Sequence, residues 1–196
     1  MRTTLGVATL LLAVAEAWVY RMVALDMDGT ALDSHHQLSD ATVTFLRALY
    51  ATGTIVSFCT GRSTPAAAPH IQRLGLDYMP VVAYNGAVSL IFEKNEAGEV
   101  VPTHELFKKP VPSDAAEQIL RVAADNGLLA QYYVGHQIYV APKTQQHRAF
   151  VEKYAAMSGG VEHVVVNDYT EPIGMGEPYK LLVFSDDVGA RPTPFL

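Results

Sequence analysis

Cysteine is almost missing from these 196 residues: Cys59 is the only one. No intramolecular disulfide and no thiolate zinc cage can therefore form. A cysteine phosphatase is excluded as well, because Pro65 occupies the position where its arginine would stand and Arg62 lies too close. Cys59 reads instead as a buried strand residue. Charge is scarce too, at 17% against 49% hydrophobic residues, a balance that describes a folded chain rather than a disordered one. The formal net charge is -6, and no cluster of Lys and Arg interrupts it, so no nucleic acid partner is expected. No G-x-G-x-x-G or Walker-type loop occurs, nor any internal repeat or low-complexity segment. The histidines lack metal-ligand spacing. His35 and His36 are adjacent and point apart, while His104, His136, His147 and His163 are scattered and read as solvated.

The start of the chain is apolar. "LGVATLLLAVA" (5–15) follows one Arg and precedes small-residue patterns, which fits a short secretory leader. It is too short and too abruptly ended for a membrane span, so no membrane partner is expected once a leader is removed. An upstream extension with an effective start at Met22, and a buried helix, stand as alternatives. The leader implies the secretory pathway; a start at Met22 implies the cytoplasm.

Beyond it the chemistry-bearing stretches fall at strand ends. "MVAL" (22–25) reads as a short, fully buried strand. It runs into "DMDGT", where Asp26 and Asp28 fall on one face if the strand continues. Ser39 caps a helix carrying Val43, Leu46, Leu49 and Tyr50 on one face, and Gly53 ends it. "TIVSFC" (54–59) is a second strand ending in "TGR". Pro65 opens a second helix to about Leu74, and "VVAY" (81–84) is a third strand ending in "NG". Such a β-α-β-α-β unit has parallel strands, with ligands beyond their carboxyl ends. From residue 88 the pattern changes to hairpins around 95–98 and at Gly135, a helix capped by Ser113, another over 144–157, and strands in "EHVVVN" and "YKLLVFS". That is α+β organisation. The expected divisions are 1–21 as leader or extension, 22–87 as core, 88–187 as a second α+β unit and 188–196 as tail.

"DMDGT", "TGR" and "NG" in this order, followed by an α+β insertion, resemble the haloacid dehalogenase superfamily. The closer likeness is to its Cof-type phosphatases with a large α+β cap, from Met22 to about Asp187. The resemblance implies an α/β fold: a partial Rossmann-like parallel core with an inserted α+β cap. It implies Asp26 as the nucleophile toward a phosphoryl group and Asp28 as general acid and base. Mg²⁺ would be held by the Asp26 carboxylate and the Asp28 main-chain carbonyl. Thr60 would bond the phosphoryl oxygens, with Gly61, Arg62, Asn85 and Gly86 at the mouth toward substrate or cap. The partner implied is a small phosphorylated metabolite.

These roles are physically coherent. Covalent catalysis by a carboxylate divides one hard displacement into two steps. A hard cation offsets the repulsion between carboxylate and phosphate. Gly29 lets backbone N–H groups approach an anion, and Thr30 either pins the loop or is an ordinary turn residue. Arg62 also fits a solvated cation at a helix start, and Asn85-Gly86 a common turn. The resemblance implies, further on, a Lys and a Gly-Asp-x-x-x-Asp segment that this sequence does not contain; Asp186-Asp187 and Lys180 are not read as these. A truncated chain of reduced activity is therefore expected, with one side of the first strand uncovered unless residues 5–20 lie over it. A non-catalytic or vestigial binding protein and a phosphosugar mutase are the competing readings.

Overall fold

A computed structural model of the chain describes residues 20–158 and 161–185. In chain order the elements are β1 (Met22–Leu25), α1 (Asp40–Ala51), β2 (Ile55–Cys59), α2 (Thr64–Leu74), β3 (Tyr78–Ala83), β4 (Val88–Lys94) and β5 (Val100–Lys108). There follow α3 (Ser113–Asp125), β6 (Leu129–Val134), β7 (Gln137–Val140), α4 (Gln145–Met157), β8 (His163–Val165), α5 (Thr170–Met175) and β9 (Lys180–Phe184). The strands form two sheets, ordered β1-β2-β3-β4-β5 and β8-β7-β6-β9.

The parallel half-core is as expected: β1 runs parallel to β2, with Leu25 opposite Phe58, and β2 parallel to β3, with Phe58 opposite Val81. The helices between them follow from local chemistry. The Ser39 hydroxyl accepts from the Thr42 N–H and opens α1, which buries Val43 and Leu46. Ser63 caps α2 in the same way through Ala66, with Pro65 in the first turn where its missing N–H costs nothing. Gly75 ends α2 at φ 61°, a left-handed conformation that favours glycine. Val56, Phe58, Ile71, Leu74, Met79 and Val81 form the centre of the core.

Three expectations are corrected. First, β1 is not fully buried. It is the edge of its sheet, paired only with β2 among the described residues, and Met22 is 47% exposed. The segment expected to cover it lies mostly outside the described residues. Second, the hairpin from residue 88 belongs to the first sheet. The tight turn at 84–87 sends β4 straight back along β3, from Ala83 opposite Val88 to Tyr78 opposite Glu93. The change of sheet therefore comes at 109–112, not at 88. Third, Pro112 rather than Ser113 occupies the cap position of α3, with no side-chain cap bond, and the short helix α5 was not foreseen. The tyrosines of the second hairpin pack inward: Tyr132, Tyr133 and Tyr139 are buried. The second sheet is also not wholly antiparallel, since β8 runs parallel to β7.

Candidate active site

The carboxyl ends of β1, β2 and β3 carry the three polar loops, and each is held by backbone bonds rather than by chance. Asp26 leaves β1 in extended conformation, and its Oδ1 accepts from the Met27 N–H at 2.8 Å. The chain then makes one wide turn over Met27–Ala31, closed by Leu32 N–H to Met27 O (2.8 Å) and Ala31 N–H to Asp26 O (3.2 Å). Met27 is fully buried and anchors it, while Gly29 takes φ 74°. Thr30 is exposed and makes no hydrogen bond among the described residues, so the backbone pins this loop and Thr30 does not.

Because the turn begins directly after Asp26, the strand's alternation does not carry through to Asp28. The two acids serve adjoining clefts. Asp26 lines one with Cys59, Thr60, Gly61, Val82, Asn85 and Gly86. Asp28 lines a second, of about 310 Å³, with His36, Gly61, Arg62 and, from the second sheet and α4, Tyr154 and Lys180. Gly61 borders both. Cys59 is exposed toward the first cleft, correcting its expected burial: it is the last residue of β2 and stands at the open carboxyl end of the strand.

Thr60 sits buried at the floor. Its Oγ1 accepts from the Arg62 N–H at 3.1 Å, which leaves its own hydroxyl proton available for an incoming oxygen. The Thr60 carbonyl accepts from the Asn85 N–H at 3.1 Å, tying the second loop to the third. That third loop is strained: Tyr84, Asn85 and Gly86 all have positive φ (53°, 57° and 100°). A side chain at Gly61 would collide with Asn85 Oδ1, so glycine there permits the close approach of the two loops.

Arg62 is no solvated cation. Its guanidinium is buried and grips Asp28 with two bonds, Nε to Oδ2 and Nη2 to Oδ1, both 2.7 Å. Nη1 reaches the Ser158 carbonyl at 3.4 Å. His36 Nδ1 lies 3.1 Å from the same Asp28 Oδ1. Arg62, chiefly through its hydrogen bonds, holds the Asp28 carboxyl below the ordinary carboxylate range, with His36 adding to it and partial burial opposing it. As found, Asp28 is an ionised, fully engaged carboxylate, whereas Asp26 is exposed and its second oxygen makes no hydrogen bond among the described residues.

Two site residues, His36 and Tyr154, carried no signal that sequence reasoning used, and a third, Lys180, was weighed and set aside. His36 reaches Asp28 because Leu32 and Leu38 bridge and fold the 33–37 loop back; two leucines flanking a polar turn were the readable hint. Lys180, on β9, donates from Nζ to the Gly61 carbonyl at 3.1 Å, so a residue of the second sheet touches the first cleft's rim. Tyr154 comes from α4, whose packing no local pattern reveals. Of the histidines expected to be solvated, His147 is buried, with Nε2 3.0 Å from the Gly127 carbonyl, and His163 bonds Gln131.

Among the described residues no three of His, Cys, Asp and Glu gather as metal ligands. The Asp26 carboxylate and the Asp28 carbonyl are nonetheless hard oxygen donors, and Mg²⁺ commonly takes only one or two carboxylates beside phosphate and water. The residues fit such an ion.

Residues 23–189 match the family described as haloacid dehalogenase-like hydrolase. A Bacillus subtilis protein named as a phosphatase, YxeH, is 37% identical over 82 residues, which cover 40% of this chain and 30% of that protein. The HMP-PP phosphatase of Serratia proteamaculans is 31% identical over 102 residues, 52% of this chain and 34% of that protein. The chain thus spans about a third of the curated relatives it matches. Among solved structures, a Thermotoga maritima protein superposes with a TM-score of 0.65 at 22% identity, over 85% of this chain and 57% of that one. A haloacid dehalogenase-like hydrolase from B. subtilis gives 0.65 at 22%, over 85% and 62%. With its parallel half-core, its three loops at the strand ends and a family match over most of its length, the chain belongs to the haloacid dehalogenase-like hydrolases.

Proposed function

We propose that the chain hydrolyses phosphomonoesters of small metabolites through an aspartyl-phosphate on Asp26. One observation carries this reading: Asp26, Thr60, Asn85 and Gly86 line a single cleft at the carboxyl ends of three parallel strands. Asp26 attacks phosphorus and the bond to the leaving oxygen breaks; Thr60 donates to a phosphoryl oxygen. The Asp26 carboxylate and the Asp28 carbonyl would hold Mg²⁺, which when bound neutralises charge between carboxylate and phosphate.

Asp28, once protonated, gives its proton to the leaving oxygen and then takes one from the water that attacks phosphorus, breaking the bond to Asp26 and releasing phosphate. In the state described here Arg62 and His36 keep it ionised, so the acid role requires the guanidinium to be drawn off. An arriving phosphoryl dianion competes for that same fork. The clamp also favours a second reading, a non-catalytic binding protein in which Arg62 stays on Asp28. Turnover of p-nitrophenyl phosphate decides between them. Abolition by Asp26→Asn and by chelation supports hydrolysis, and turnover indifferent to both contradicts it. A folded chain with no turnover and no Mg²⁺ binding selects the second reading.

A further inference from the structure

Between β1 and α1 the chain makes a small closed turn whose form phosphoryl transfer does not by itself explain. Leu32 and Leu38, both buried, pair across its base. Asp33 closes it. Its N–H donates to the Gln37 carbonyl at 2.9 Å, and its carbonyl accepts from the His36 N–H at 3.0 Å. Its carboxylate accepts from the His35 and Gln37 N–H groups at 2.8 and 3.0 Å. None of these bonds uses the imidazole of His36. That residue nevertheless stands in the turn with φ 56°, a left-handed backbone that costs energy for a residue with a side chain.

What the turn presents is one ring nitrogen. His36 Nδ1 lies 3.1 Å from Asp28 Oδ1, and the other holder of that carboxylate is Arg62. The direction of the histidine bond follows from the arginine. A carboxylate gripped by two guanidinium N–H groups is ionised and has no proton to give, so Nδ1 carries the hydrogen. The two holders differ in what becomes of them. Arg62 covers both oxygens, Nε on Oδ2 and Nη2 on Oδ1, and is the group for which an arriving phosphoryl dianion competes. His36 touches Oδ1 alone, from a turn closed by its own bonds. When the fork opens, Oδ2 is released and Oδ1 stays tied.

We propose that His36 is a positioning residue that holds the Asp28 carboxyl by Oδ1 after Arg62 has turned to the phosphoryl group, aiming Oδ2 at the leaving oxygen. It acts through Asp28 and touches neither phosphorus nor the leaving group. This rests on the reading of Asp26 and Asp28 as the two acids of phosphomonoester hydrolysis.

The test compares two esters that differ in their need for Asp28. The p-nitrophenolate of p-nitrophenyl phosphate departs without a proton, whereas the alkoxide of n-hexyl phosphate requires one. His36→Gly removes the ring and relieves the backbone cost at φ 56°. His36→Asn keeps a side-chain N–H donor and also tolerates that backbone. kcat and KM are measured for both esters on the full chain with Mg²⁺. In His36→Gly, kcat should fall more for the hexyl ester than for the aryl ester, by a factor of at least about ten, with each KM within about threefold. His36→Asn should recover most of that difference. The ratio of the two esters within one preparation does not depend on how much of it is folded, so a less stable variant still decides the matter. Equal loss with both esters, loss confined to KM, or no loss overturns the proposal and leaves hydrolysis standing. A selective loss that His36→Asn fails to repair also overturns it, because the hydrogen bond is then not the cause. Phosphate release from neither ester by the wild type overturns the hydrolysis reading and this proposal with it.

Discussion

At the scale of single residues the Asp28–Arg62 fork contributes to stability and keeps Asp28 ionised. The folded pKa of Asp28 lies below its ordinary 3.8, so the fork's stabilisation is fully present above that value and is lost as pH falls through the lower folded pKa. Urea unfolding of wild type and Arg62→Met should show a gap at neutral pH that closes in strong acid. Since Asp28 is largely exposed, that gap is at most about 1 kcal/mol. A gap that widens on acidification would contradict the pairing. Gly61→Ala tests the close approach of two loops. Its methyl group must displace Asn85, so kcat/KM for p-nitrophenyl phosphate should fall at least about tenfold with unchanged far-ultraviolet circular dichroism. An unaltered kcat/KM would mean that Asn85 has no part in the site. The acids, Thr60, Gly61 and the Asn-Gly pair were legible as residue types at strand ends. The burial of Arg62 and the reach of His36 were not, because the first depends on Asp28 and the distant end of α4 at Ser158, and the second on a loop folded back through a Leu32–Leu38 bridge.

The first two helices were read from local punctuation. Ser39 with Gly53 brackets α1 and Pro65 opens α2; the Ser63 cap of α2 was not singled out, and the same kind of signal at Ser113 misplaced the start of α3. Removing one such bond has a known size: Ser39→Ala should cost about 1 kcal/mol of unfolding free energy with no change in KM. A loss confined to KM would place Ser39 in the site instead. The elements misread were those whose state is decided by neighbours far along the chain. Nothing within "VSLIFEK" tells whether it joins β3 or begins a separate unit; the tight 84–87 turn decides that, by returning the strand along β3. The burial of β1 likewise depends on its other side and not on its own apolar run.

Across the whole molecule, the two sheets meet through bonds that end on the functional loops. Lys180 reaches the Gly61 carbonyl, Arg62 the Ser158 carbonyl, and the Tyr84 hydroxyl the Gly135 carbonyl. The Lys180 and Arg62 contacts therefore tie the second sheet and the end of α4 to the loops that hold Asp28. Lys180→Met should speed hydrogen exchange of the Gly61 and Asn85 amides while the β2 amides stay protected, and exchange unchanged throughout would mean that the contact carries no load. The most direct measurement concerns Asp26. Brief incubation with a phosphomonoester and Mg²⁺, quenching, borohydride reduction and tandem mass spectrometry should locate the reduced acyl-phosphate at Asp26 and lose it in Asp26→Asn. Reduction at Asp28, or phosphate release with neither acid labelled, would contradict the proposed function.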